Sequence, residues 1–113
     1  MASKKMIYRD RLEGATELAV TLIENWFPTA SWDMNPDDPD DSIDIAGEHF
    51  KATIQNEFDF DEETGDDILS GLTYLQYVKK NGRWVLNNRQ QIWTSDPDVM
   101  YDSVSRIIQG VLV

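Results

Sequence analysis

The chain has 113 residues with a net charge of −11; 41% of its residues are hydrophobic and 11% aromatic. That length suits a single domain with one modest core, and the composition excludes a disordered chain. With no cysteine there is no disulfide, thiol nucleophile or cysteine-based zinc site, and the negative charge disfavours direct binding to nucleic acid or an anionic membrane.

The charge is segregated. Asp33 to Asp67 holds fourteen acidic side chains against Lys51 alone, a net of −13, while the remainder carries nine basic and seven acidic residues. No apolar run approaches the roughly 20 residues that a membrane span requires. The start, "MASKKMIYRDR", lacks the apolar core and small residues of a signal peptide. Together with the missing cysteines, this points to a cytoplasmic protein.

Lys4 to Trp26 reads as a helix. Tyr8, Leu12, Ala15, Leu18 or Ala19, Leu22 and Trp26 recur at three- and four-residue steps and form an apolar stripe. Gly14 reads as a mild fault inside it. Pro28 ends it, because the residue before a proline avoids the helical region.

After Trp32 comes an acidic, proline-broken loop through Asp41. The period then changes to two. Ile43 and Ile45 alternate around Asp44; Phe50, Ala52, Ile54, Phe58 and Phe60 share one parity, with polar Asn56 breaking the pattern. A two-residue type II′ turn at Gly47-Glu48 would pair Ile45 with Phe50, Asp44 with Lys51 and Ile43 with Ala52. The next connection, "DEETGDDILSG", reads as acidic with a short helical turn over Asp66 to Ser70.

Asn81-Gly82, between "LTYLQYVKK" and "RWVLNNRQQIW", is the favoured type I′ hairpin turn. Two-residue closure pairs Lys80 with Arg83, Lys79 with Trp84, Tyr77 with Leu86 and Leu75 with Asn88. Leu75, Tyr77, Trp84, Leu86 and Ile92 are assigned to the core. Tyr74, Gln76, Asn87, Arg89 and Gln91 take the other face.

From Thr94 onward the chain reads as a helix. Ser95 or Asp96 caps it, Pro97 opens it, and Asp98 complements its positive end. Met100, Val104, Ile107 or Ile108 and Val111 form its stripe, and Gly110 should fray its end. The expected fold is α+β and a single domain over residues 1–113. A four-stranded antiparallel sheet is built from two hairpins and flanked by N- and C-terminal helices on one face (α-β-β-β-β-α).

Carboxylate density invites a metal, yet the spacing fails. A calcium loop of the EF-hand type needs glycine at position 6 and glutamate at position 12. A loop starting at Asp33 offers Asp38 and Asp44 there, and one starting at Asp59 offers Thr64 and Ser70. His49 is the single histidine, which excludes a two-histidine site. The triplet Gly65-Asp66-Asp67 also occurs in RNA-dependent polymerases, but 113 residues are too few to build one. The sequence offers no phosphate loop, no Gly-x-Ser-x-Gly elbow and no basic-aromatic surface for nucleic acid. No enzyme, metal or cofactor is expected.

The leading expectation is an acidic protein-binding module that occupies a basic surface of a partner protein, as DNA-mimic inhibitors do. Asp33, Asp37, Asp38, Asp40, Asp41, Asp59, Asp61, Glu62, Glu63, Asp66 and Asp67 would supply the charge, with Trp32 as an aromatic anchor. The competing reading is a charge run that only confers solubility. "RQQIWTSDPDVMYDSVSRIIQGVL" (residues 89–112) resembles the strand-then-helix ending of small phage tail-completion and tail-terminator proteins, over about a fifth of the chain. That resemblance implies an assembly role, in which acidic loops line a ring. The overall plan is similar to that of acidic secretion chaperones, which would need a long exposed apolar patch and dimerisation. A homo-oligomer is compatible with each of these.

Overall fold

The computed structural model describes residues 12–34 and 42–113. Five strands, β1 (Ser31–Met34), β2 (Ser42–Ala46), β3 (Phe50–Phe60), β4 (Asp67–Lys80) and β5 (Arg83–Trp93), lie between helices α1 (Gly14–Trp26) and α2 (Pro97–Leu112). The strands form one antiparallel sheet in the order β1-β2-β3-β4-β5, each hydrogen-bonded to the next in sequence. The α+β class is as expected, but the sheet has five strands rather than four.

The additional strand is β1. Trp32 faces Ile45 and Met34 faces Ile43, all four buried. Four residues are too short for alternation to stand out beside an acidic loop. Asp37, Asp38, Asp40 and Asp41 lie outside the described residues.

One core fills the space between the helices and one face of the sheet. Ile43, Ile45, Ala52, Ile54, Leu72 and Tyr74 meet Ala15, Ala19, Val20, Leu22 and Ile23 of α1, and Met100, Val104, Ile107, Ile108 and Val111 of α2. Asp96 caps α2, its carboxylate accepting from the Asp98 N–H at 2.9 Å. The helix does not fray at Gly110 but runs to Leu112, where Val111 is buried against the core.

Helix α1 begins at Gly14; of the expected helix, residues 4–11 lie outside the described part, and Leu12 and Glu13 are not helical. Gly14 is therefore not a fault within a helix. It sits at the helix start with φ +56°, and a Cβ there would lie 2.4 Å from Leu69 Cδ2. The polar break in β3 explains the start. Asn56 is 1% exposed; its Oδ1 accepts from the Ala15 N–H at 2.9 Å and its Nδ2 donates to the Glu13 carbonyl at 2.6 Å. Thr16 Oγ1 donates to the same carbonyl at 2.8 Å. Such groups at a buried helix start must be paired.

Three local expectations need correction. The β2–β3 turn is at Glu48-His49, closed by Gly47 N–H to Phe50 O at 3.0 Å, so Ile45 faces Ala52, Asp44 faces Thr53 and Ile43 faces Ile54. Gly47 serves packing instead: a Cβ there would lie 2.1 Å from the Val111 carbonyl oxygen. Asp67 to Ser70 is strand, not a helical turn. It pairs with the end of β3 after a register shift between Glu57 and Phe58.

The Asn81-Gly82 turn is as expected, with both φ values positive (52° and 78°), and the first pairs follow the expected register. A second shift lies beyond Tyr77–Leu86: Gln76 faces Asn88 and Leu75 faces Arg89 rather than Asn88. The bulge moves Ile92 to the helix side, opposite Leu72, while Tyr77, Leu86 and Trp84 stay on the other side. The assigned faces are exchanged at Tyr74, Leu75, Gln76, Tyr77, Trp84 and Leu86, while Ile92, Arg89 and Gln91 lie as assigned. Tyr74 packs in the core, while Trp84 and Leu86 are 40% and 51% exposed.

Two stability measurements check this account. Asn56→Leu should lower the urea-derived unfolding free energy by about 2 kcal/mol, since it strands the buried Ala15 N–H and leaves the Glu13 carbonyl with the Thr16 hydroxyl alone. Trp84→Ala should cost no more than about 1 kcal/mol, whereas a core tryptophan would cost about 3–5 kcal/mol.

Candidate functional site

Strand β4 has 14 residues, about 46 Å at about 3.3 Å per residue, close to the 48 Å long axis of the molecule. It connects two oppositely charged ends. At its start lies the β3–β4 turn with Asp59, Asp61, Glu62, Glu63, Asp66 and Asp67; at its end lies the β4–β5 tip with Lys79, Lys80 and Arg83.

The acidic turn is organised by its own hydrogen bonds. The Asp61 N–H donates to the Asp66 carbonyl at 2.9 Å, and the Gly65 N–H to the Asp61 carbonyl at 2.8 Å. The Asp61 carboxylate is used inward: Oδ1 accepts from the Glu63 N–H at 2.9 Å and Oδ2 from the Thr64 hydroxyl at 3.1 Å. The Asp66 N–H donates to Thr64 Oγ1 at 3.3 Å. Aspartate side chains commonly fix turns in this way. Asp61 therefore shapes the turn, while Asp59, Glu62, Glu63, Asp66 and Asp67 face solvent.

Two apolar side chains stand among these carboxylates. Phe60 is 65% exposed and Ile68 is 50% exposed. Phe60 had been counted with the buried parity of β3, but it lies at the strand's last position, opposite Asp67. Trp32 is 6% exposed within the core and is thereby removed as an exposed anchor. Asp33 is exposed on β1, across from Asp44. This like-charged pair lies on the side of the sheet away from the helices. Asp44 accepts from the Thr53 hydroxyl at 2.5 Å, and on the same side Thr73 donates to the Glu57 carboxylate.

The opposite end carries a basic-aromatic patch that the sequence reading had not expected. Lys51 Nζ lies 5.0 Å from the Trp84 ring centroid and 5.5 Å from that of Tyr77, and Lys79 Nζ lies 5.7 Å from Trp84. These are cation–π distances. The signal was present in the Lys79–Trp84 pairing, which was correct. It was obscured by assigning that face to the core.

Among the described residues, no group of three or more His, Cys, Asp or Glu side chains is arranged to hold a metal ion. His49 is exposed in the β2–β3 turn. The Tyr74 phenol is pushed up from its usual pKa by burial, and it donates to Gln76 Oε1 at 2.7 Å. An open cleft of about 310 Å³ separates the starts of α1 and α2, lined by Leu18, Leu69, Pro97 and Met100 with Glu17 and Asp96 at its polar side. No described helix is long and apolar enough to cross a membrane. No protein-family model, curated protein or solved structure matches the chain.

Proposed function

We propose that this chain is a non-enzymatic protein-binding module whose acidic end occupies a basic surface of a partner protein. The observation that carries this reading is the β3–β4 turn. There, five outward carboxylates lie beside exposed Phe60 on one face of the strand pair and exposed Ile68 on the other, on a loop already held by five internal hydrogen bonds.

Each part has a physical role. Carboxylates concentrated at one end steer a positive partner and raise association rates by about 10- to 1,000-fold at low salt. Charge at a rim mainly gives rate and specificity, so affinity needs an apolar contact at its centre. Phe60, on the face it shares with Asp67, supplies one. The fixed turn reduces the conformational freedom lost on binding. A partner of matching chemistry presents an apolar pocket rimmed by lysine and arginine. The imitation of phosphate charge makes a nucleic-acid-binding protein the natural class.

The test replaces Asp59, Asp66 and Asp67 with Asn and Glu62 and Glu63 with Gln, leaving Asp61 to hold the turn. Immobilised wild-type protein should retain a basic partner from lysate of the source cells and release it as salt rises. The five-fold variant should retain at least about tenfold less of it. Equal retention by both proteins, or retention insensitive to salt, would exclude this reading. Phe60→Ala should weaken the captured complex by about 1–2 kcal/mol, measured by calorimetry, with little change in its salt dependence.

A further inference from the structure

Strand β5 forms the sheet edge opposite β1. Among the described residues, its 11 residues have β4 on one side only. Such an edge presents a row of free N–H and C=O groups and is a template for another strand. The Thr94 N–H donates inward to the Ser70 carbonyl at 2.8 Å. By antiparallel alternation, the backbone groups of Trp93, Gln91 and Arg89 then point away from β4. Their side chains share the sheet face away from the helices, and all three are exposed, Trp93 at 58%.

We propose that a second copy of this chain pairs antiparallel along β5, about a two-fold axis at Gln91, to make one continuous ten-stranded sheet. The occupant follows from what this arrangement brings together. Gln91 meets Gln91 of the other copy, and Arg89 lies opposite Trp93 at two symmetric places. An arginine beside an exposed tryptophan is a cation–π partner. Arginine on an edge strand ordinarily guards against pairing; here the two-fold axis gives it a matching site.

Charge makes the same choice. Antiparallel pairing carries the Lys79, Lys80 and Arg83 tip of each copy past the other copy's Trp93. Beyond Trp93 lie Asp96 and Asp98, exposed at the start of α2, and Asp67 at the start of β4. Parallel pairing would instead set the two basic tips side by side. A two-fold contact is closed, so association ends at the dimer. Asp67 is common to both readings, but the β5 edge is separate from Phe60, Glu62 and Glu63, so this inference goes beyond the docking reading, and variants at Gln91 test it without touching that site.

Sedimentation velocity on the full chain supplies the first test. The wild type should sediment as a dimer at low salt, and high salt should weaken it. Lys80→Glu with Arg83→Glu should raise the dimer dissociation constant by at least about tenfold. Gln91→Pro removes an outward N–H and leaves the β4 ladder intact, as edge strands tolerate; it should be monomeric with unchanged far-ultraviolet circular dichroism. A wild type that is monomeric throughout, or a folded Gln91→Pro protein that remains dimeric, overturns the proposal.

Cross-linking decides the matter if the proline variant does not fold. The chain has no cysteine, so Gln91→Cys introduces a single thiol whose symmetric partner would lie about 5.5 Å away between Cα atoms, within disulfide range. Mild oxidation should give a covalent dimer, while Thr64→Cys at the exposed acidic turn should not. Equal cross-linking of the two variants, or of neither, counts against the two-fold at Gln91.

Discussion

The buried side chain of Asn56 ties the sheet to the first helix, and much of the architecture depends on it. The start of α1 presses against β3, where water cannot satisfy its first amide or the Glu13 carbonyl. Asn56 meets both, one through Oδ1 and the other through Nδ2. An isoleucine would suit the alternation of β3 better, but it would leave the buried Ala15 N–H without a partner, at about 1–3 kcal/mol, and the Glu13 carbonyl with the Thr16 hydroxyl alone. Gly14 follows from the same contact. The chain must turn with positive φ at that point and pass against Leu69, which leaves no room for a Cβ.

From this clamp, the placement of the charged ends is largely a matter of strand length. The helices cover one face of the sheet, but β3 and β4 continue beyond α1 to the acidic turn, and β4 and β5 reach the basic tip at the other end. A side chain at either end has few neighbours to bury it, which is why Phe60, Ile68, Trp84 and Leu86 remain exposed despite strand-like alternation. Alternation identifies which residues share a face, but not whether another layer covers that face.

The readable parts of the fold were those with local causes. Asn81-Gly82 requires positive φ at both positions, and two-residue closure then set three correct pairs. The cap and stripe of α2, Asp96 with Met100, Val104 and Val111, are likewise written within one helix. The unreadable parts depended on distant groups. The register of β4 against β3 turns Tyr77, Trp84 and Leu86 outward, the bulge opposite Gln76 then brings Ile92 to the helix side, and no local signal in "VLNNRQ" specifies that bulge. Gly47 read as a turn residue because its true reason, the Val111 backbone, lies more than sixty residues away. For the candidate site, charge located the acidic turn directly. Asp61 could be separated from its neighbours only once its hydrogen bonds were known, and Trp32 only once β1 was seen to turn it inward.

The segregated charge has a physical consequence that does not depend on which partner is bound. Acidic and basic groups about 45 Å apart, several Debye lengths at physiological salt, do not neutralise each other. The described residues therefore set charges of opposite sign at the two ends of β4, within a chain of net negative charge. Such charges align an approaching partner before contact, and two such ends set side by side attract when antiparallel and repel when parallel. Uniformly spread charge would confer the same solubility and orient nothing. Solubility alone thus accounts for the net −11 but not for its arrangement. The arrangement favours surfaces used at the ends and along the β5 edge, where Lys80 and Arg83 on one side and Asp67, Asp96 and Asp98 on the other are set for an antiparallel neighbour.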